Sequence, residues 1–201
     1  MDTFDAIYQR RAIKHFDPNH AMTVDEERKL LEAAIQSPTS FNIQHWRFVI
    51  VRDAALRRRI RTELGNDQAQ MTDASLLVIV TADMMAWKKD PARYWRNASK
   101  EVADLLVNWI APFHEGRDWL QLDEAQRSIG MAMQTLMIAA KAMGYDSCPM
   151  IGYDIDKVAA LIGLPDDHVM GPMVAIGKRT KDAWPKPGQL SLEQVVVENH
   201  F

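Results

Sequence analysis

Three short runs of almost wholly apolar residues constrain this chain most: "RFVIVR" at 47–52, "SLLVIVTAD" at 75–83 and "GPMVAIGK" at 171–178. Both alternations of each run are apolar, so each reads as a strand in a sheet covered on both faces. Helical patterns lie between them. Residues 3–10 form a short helix with Phe4, Ile7 and Tyr8 on one side. Thr23 with Glu26 makes a capping box, and Val24, Leu31, Ala34 and Ile35 mark the helix that follows, to about Gln36. Asp53 caps a helix carrying Leu56, Ile60 and Leu64, which ends at Gly65. Helical periodicity returns from about Ser99 to Phe113 and over 124–143. There Ile129, Met133, Leu136, Met137 and Ala140 form a stripe that Gly144 stops. "DIDKVAALIG" is a last short helix with an acidic start. Interleaved helices and strands make one mixed α and β domain over 1–201. Three strands make a small sheet. The tail "LEQVVVENHF" reads as an extended segment whose backbone groups must be paired somewhere, and a partner's sheet edge in an intertwined dimer would do this.

Charge and composition remove several classes of function. The net charge of -3 supplies no attraction for nucleic acid or an anionic membrane. The basic run "RRRIR" at 57–61 reads as a solvated helix face around Leu56, Ile60 and Leu64. The longest apolar run, "ASLLVIV", is far too short to span a bilayer, and "MDTFDAIYQRR" has two early acids and no apolar leader segment. A single cysteine, Cys148, cannot form an internal disulfide, so a cytoplasmic setting is the expectation. No histidine pair has the spacing of a helical zinc site, and "GPMVAIGK" has an apolar strand where a phosphate loop needs glycines. No metal site is expected.

Three stretches carry possible chemistry. In "QRRAIKHF", Arg10, Arg11 and Lys14 cluster where a helix ends, and such a set can neutralise a phosphate dianion. A solvated basic turn is the simpler reading of those residues alone. "SPTSFNIQHW" offers the hydroxyls and amides of Thr39, Ser40, Asn42 and Gln44, suited to the edge of a planar heterocycle or to an ordinary polar turn. "SCPMIGYD" at 147–154 places Cys148 in a Gly/Pro-punctuated turn after the long helix. A nucleophilic cysteine needs a base and an electropositive setting, and no partner is evident, so Cys148 reads as a small buried residue.

Taken in register, "YQRRAIKHFDP", "IQSPTSFNIQHWRFVIV", "NDQAQMTDASLLVIV", "GYDSCPMIGYD" and "GPMVAIGK" resemble the FMN-dependent nitroreductase family over nearly the whole chain. The resemblance implies an α+β fold with a small central mixed sheet flanked by helices, and an intertwined homodimer that exchanges C-terminal strands. It implies FMN held at the subunit interface, reduced by NADH or NADPH and reoxidised by a nitroaromatic, quinone or similar flat acceptor in a ping-pong cycle. Arg10, Arg11 and Lys14, with the Ala12 backbone, would hold the phosphate and ribityl end. Ser40 and Asn42 would face the cofactor from the partner subunit, and Gln70 would lie near the flavin's pyrimidine edge. Pro149, Met150, Ile151 and Gly152 would line the ring, with the backbone N–H of Ile151 directed at N5. No side chain is required as acid, base or nucleophile.

Several departures accompany the resemblance. Many relatives have serine where Ala12 stands and glutamate where Ile151 stands. Lys186 matches a C-terminal basic residue, but the arginine usual two residues later is absent from "PKPGQL", which has Gly188 and Gln189. A flavin-binding carrier or sensor without turnover is the alternative that this weakened contact allows. Residues 84–120, with Trp87, Tyr94, Trp95, Trp109, Phe113 and Trp119, form the expected substrate-facing helical insertion, although most of these aromatics should be core or dimer contacts. Residues 185–201 form the expected extension onto the partner.

Overall fold

The computed structural model describes residues 1–201. The elements in chain order are α1 (Thr3–Gln9), α2 (Val24–Ala34), β1 (Trp46–Ile50), α3 (Ala54–Arg59), α4 (Gln70–Asp73), β2 (Leu76–Asp83), α5 (Lys100–His114), α6 (Asp118–Ala142), β3 (Asp146–Met150), α7 (Ile155–Leu161), β4 (His168–Gly177) and α8 (Leu192–Val195). The sheet order is β1-β2-β4-β3, and every neighbouring pair is antiparallel. The mixed sheet of the sequence reading is therefore corrected. The only parallel pairing is an isolated bridge between Ala12 and Ser147. Burial on both faces, rather than strand direction, makes the runs apolar throughout.

The two alternations of β2 go to two cores. Leu77 and Ile79 pack with Ile13, Phe16, Met71, Cys148, Met150 and Met173 on one face. Leu76, Val78 and Val80 pack on the other against α2 and α6, through Leu30, Ala34, Ile129 and Leu136. The long helix lies close on the sheet at Gly171, where an added Cβ would come within 2.5 Å of Ile129 and 2.7 Å of the Val80 carbonyl. Gly144, at φ +78°, ends α6 and turns the chain directly into β3.

Three stretches fold differently from their sequence reading. Cys148 and Pro149 lie in β3, an edge strand, not in a turn. Proline fits there because Pro149, opposite Val174, directs its donor-less nitrogen away from β4. The tail forms the short helix α8 and then runs on without joining the sheet, leaving Leu192, Val195, Val196 and Val197 exposed. "RRRIR" is not a solvated face throughout. Arg57 turns inward and donates to the carbonyls of Val51 (2.7 Å), Ala74 (2.6 Å) and Ser75 (3.3 Å). The helix also widens into a π-turn over Ile60–Leu64. The capping box of α2 and the Asp53 cap of α3 form as read. No helix is long and apolar enough to cross a membrane.

Candidate functional site

The basic segment after α1 is fixed by backbone pairing on both sides. The Ile13 N–H donates to the Ser147 carbonyl at 3.0 Å, clipping the segment to the free edge of β3. Asp17 N–H donates to Lys178 O at 2.8 Å and Thr180 N–H to His15 O at 3.1 Å, which holds the chain leaving β4 alongside. Ile13 and Phe16 enter the core, while Ala12, Lys14 and His15 stay outside.

The result is a cleft of about 520 Å³. Arg10, Arg11, Ala12, Lys14, Pro149 and Lys186 line it, so six expected site residues meet in one place. Arg11 donates to the Trp184 carbonyl, drawing the C-terminal segment over the cleft. Arg10, Lys14 and Lys186 form no ion pair. The one acid in the lining, Asp182, lies 3.3 Å from Arg179. Gly188 and Gln189 also line the cleft, where no arginine joins the cationic set.

Beyond β3 the backbone is prepared for an external acceptor. Ile151 is 73% exposed, and its N–H has no acceptor within the chain. The Gly152 carbonyl accepts from Gln68 Nε2 at 2.8 Å and Asn66 Nδ2 at 3.1 Å, which fixes the Gly152–Tyr153 peptide just beyond it. A Cβ on Gly152 would meet nothing nearer than Gln68 Nε2 at 3.6 Å, so the fold itself does not demand glycine there. Uncompensated cations at one end and a free N–H at the other fit the two ends of FMN.

Other expected residues are placed less directly. Met150 is in the core and can offer only its backbone. Gln70 is 4% exposed and donates to Gln68 Oε1 at 3.0 Å, so it reaches Gly152 only through Gln68. Ser40 and Asn42 do not line this cleft; Asn42 lines a separate one and is tied to the Tyr94 carbonyl at 2.9 Å. Cys148 is fully buried, and burial pushes its thiol up, with Lys14 and Gln70 offsetting part of the shift. That is the setting of an inert thiol. Sequence reasoning missed Gln68 and Asn66. Their signal was the polar turn "GNDQ", where Asn66 and Asp67 adopt positive φ.

The aromatics of 84–120 divide between core and surface. Trp87 and Tyr94 are buried in a third small core, and Trp109 and Trp119 are exposed. His114 stacks on Trp87 at 5.5 Å in that core. Asp83, Asp167 and His168 converge near the start of β4, but Lys89 already occupies the space between the acids, 3.0 Å from Asp83 and 2.6 Å from Asp167.

The model of the nitroreductase family matches residues 7–178. Protein DrgA of Synechocystis is 67% identical over 201 residues, covering 98% of this chain and 95% of that protein. MhqN of Bacillus subtilis, which bears the name of an NAD(P)H nitroreductase, is 26% identical over 88% of each chain. A nitroreductase of Exiguobacterium sibiricum, solved in complex with FMN, superposes with a TM-score of 0.91 at 26% identity, covering 98% of this chain and 97% of that one. The chain belongs to the nitroreductase family.

Proposed function

We propose that this protein is an FMN-dependent NAD(P)H oxidoreductase that reduces nitroaromatic, quinone or related flat acceptors as a homodimer. The observation that carries this reading is the cleft of unpaired cations at Arg10, Lys14 and Lys186, followed along β3 by the free N–H of Ile151. FMN held there would supply the redox chemistry that carries electrons from NADH or NADPH to a second substrate.

The chain's own part is binding and orientation. Arg10 and Arg11 offer forked donors to phosphate, and Lys14 and Lys186 act as point charges. The Ile151 N–H is the donor assigned to N5, and Gln68 and Asn66 anchor the chain just after it through the Gly152 carbonyl. Gln70 is a positioning residue acting through Gln68. Ser40 and Asn42 are assigned to the partner's flavin, which accounts for their distance from the cleft within one chain. Exposed Phe4 and Tyr8 on α1, Trp109 on α5 and the unpaired tail supply apolar surface for that partner, with strand exchange by residues 185–201. The acceptor side is assigned to 84–120. There Phe41, Trp109, Pro112 and Phe113 line a shallow groove suited to a flat ring.

The purified protein should be yellow, and anaerobic NADH or NADPH should bleach it. Colourless protein that cannot be reconstituted with FMN contradicts the reading. Bound flavin that neither donor bleaches points to the carrier or sensor alternative. Ile151→Ala should retain hydride transfer and Ile151→Pro should lose it; normal transfer in a folded proline variant removes the role given to that N–H.

A further inference from the structure

A second polar cleft, of about 490 Å³, opens where the start of β1 meets residues 91–97. Asn42, Gln44, Arg47, Arg93, Arg96 and Asn97 line it, and no carboxylate does. Three guanidiniums thus gather in one cleft of a chain whose net charge is -3. Arg47 is a fixed wall: its Nη1 donates to Gln44 O at 2.9 Å and Trp46 O at 2.8 Å. It lies 3.5 Å from Asp83, a carboxylate that Lys89 also holds. Arg93 lies over the Tyr94 ring at 4.7 Å and donates to its hydroxyl at 2.7 Å. Arg96 has no hydrogen-bonded or ionic partner in the chain.

The opposite wall is held rigidly. Phe41, Asn42 and Gln44 all adopt positive φ, at 49°, 55° and 54°. Side chains without glycine's freedom stay in that region only where surrounding contacts over-determine it. Here Asn42 Nδ2 binds Tyr94 O at 2.9 Å and the Gln44 N–H binds Thr39 Oγ1 at 3.0 Å.

We infer that this cleft binds the phosphate groups of the nicotinamide dinucleotide donor. The inference rests on the reading that Asn42 faces a flavin, which places the cleft beside the hydride acceptor. Guanidinium forks match phosphate oxygens, and the amides of Gln44 and Asn97 provide donors and acceptors for a ribose. The phosphate is either the pyrophosphate common to both donors or the 2′-phosphate of NADPH.

The test uses flavin-loaded protein, so that the Arg10 cleft is already filled. Inorganic pyrophosphate is titrated by calorimetry into the wild type and an Arg93→Gln, Arg96→Gln double variant; both arginines are exposed, so the fold should survive. The variant should bind roughly 10-fold more weakly, as expected for lost charge-assisted hydrogen bonds at an open site. Donor KM should rise by about the same factor with a much smaller change in kcat, because these contacts lie away from the reacting atoms. A rise for NADH and NADPH alike assigns the pyrophosphate, and a rise for NADPH alone assigns the 2′-phosphate. Unchanged KM for both donors overturns the inference. So does pyrophosphate binding that is absent from the wild type or equal in the variant. Failure of both donors to bleach the wild type would instead remove the oxidoreductase reading, while the pyrophosphate titration still reports on the cleft.

Discussion

Two of the basic clefts on this molecule, one beside α3 and one after α1, carry four Arg or Lys side chains each, and only the second is assigned a ligand. The cleft of about 560 Å³ beside α3 is lined by Arg52, Arg57, Arg58 and Arg61. Three of its four guanidiniums are already committed. Arg52 binds Glu27 at 2.9 Å, Arg57 binds three carbonyls, and Arg61 binds Asp67 at 2.7 Å and Thr72 at 2.9 Å. The cleft of Arg10, Arg11, Lys14 and Lys186 has as many cations and almost no internal partners. Counting charge would rank the two together. What separates them is whether the fold has already used the donors, because a guanidinium that holds its own chain together has little left for an anion.

The largest effect should come from the committed cleft. Arg57→Ala leaves three carbonyls without their donor and should cost about 4 kcal/mol, at the scale of hydrogen bonds to a charged group. Urea denaturation would show it, and a loss under 1 kcal/mol would mean that the α3 cleft is not a structural one. Burial pushes the Arg57 guanidinium down, but it stays charged at neutral pH.

A buried imidazole has another way out, because it can stay neutral. Burial pushes His45 down to about 4 and also lowers His114. Ser128 Oγ donates to the Glu124 carbonyl, so His45 Nδ1 is the donor in its 3.0 Å bond to Ser128 and its Nε2 is bare. The His114 Nδ1 donates to Ile110 O, leaving a second bare Nε2. In the unfolded chain both take up a proton below about pH 6.5, where the folded chain resists it. Stability is therefore complete above that pH and falls as the pH drops through the window toward 4, by about 3 kcal/mol for His45 alone. Unfolding free energies from pH 7.5 to 4.5 would show the decline, and His45→Gln should flatten it.

Smaller effects belong to the open cleft. Lys14→Ala and Lys186→Ala should each weaken FMN binding by about 10-fold, near 1.4 kcal/mol, with little change in stability. A fluorescence titration would separate the two quantities. Least of all should come from Arg58, which lines the α3 cleft without a partner: Arg58→Ala should stay within about 0.5 kcal/mol in stability.

The sequence made the sheet, its two-sided burial and most helices readable, because period-2 and period-3.6 patterns report burial directly. "SCPM" escaped because a proline and a polar residue disguise an edge strand, and the reason proline fits is a register that only pairing with β4 reveals. The cationic set was legible as residues near one another in sequence. That Lys186 joins them was legible only through resemblance, since the backbone clips at His15 and Asp17 that bring the C-terminal segment back carry no side-chain signal. Gln68 and Asn66 read only as part of a polar turn, because their target is a carbonyl, Gly152, 84 and 86 residues away. In "RRRIR", charge alone does not reveal the carbonyls of Val51, Ala74 and Ser75 that lie behind Arg57.

The contrast between the clefts is tested most directly by FMN dissociation constants for Arg10→Ala and Arg58→Ala, measured side by side on apoprotein. Arg10→Ala should bind FMN at least about 10-fold more weakly than the wild type, while Arg58→Ala binds as the wild type does. Equal loss in both variants, or no loss in Arg10→Ala, would contradict the assignment of the phosphate to the unpaired cations.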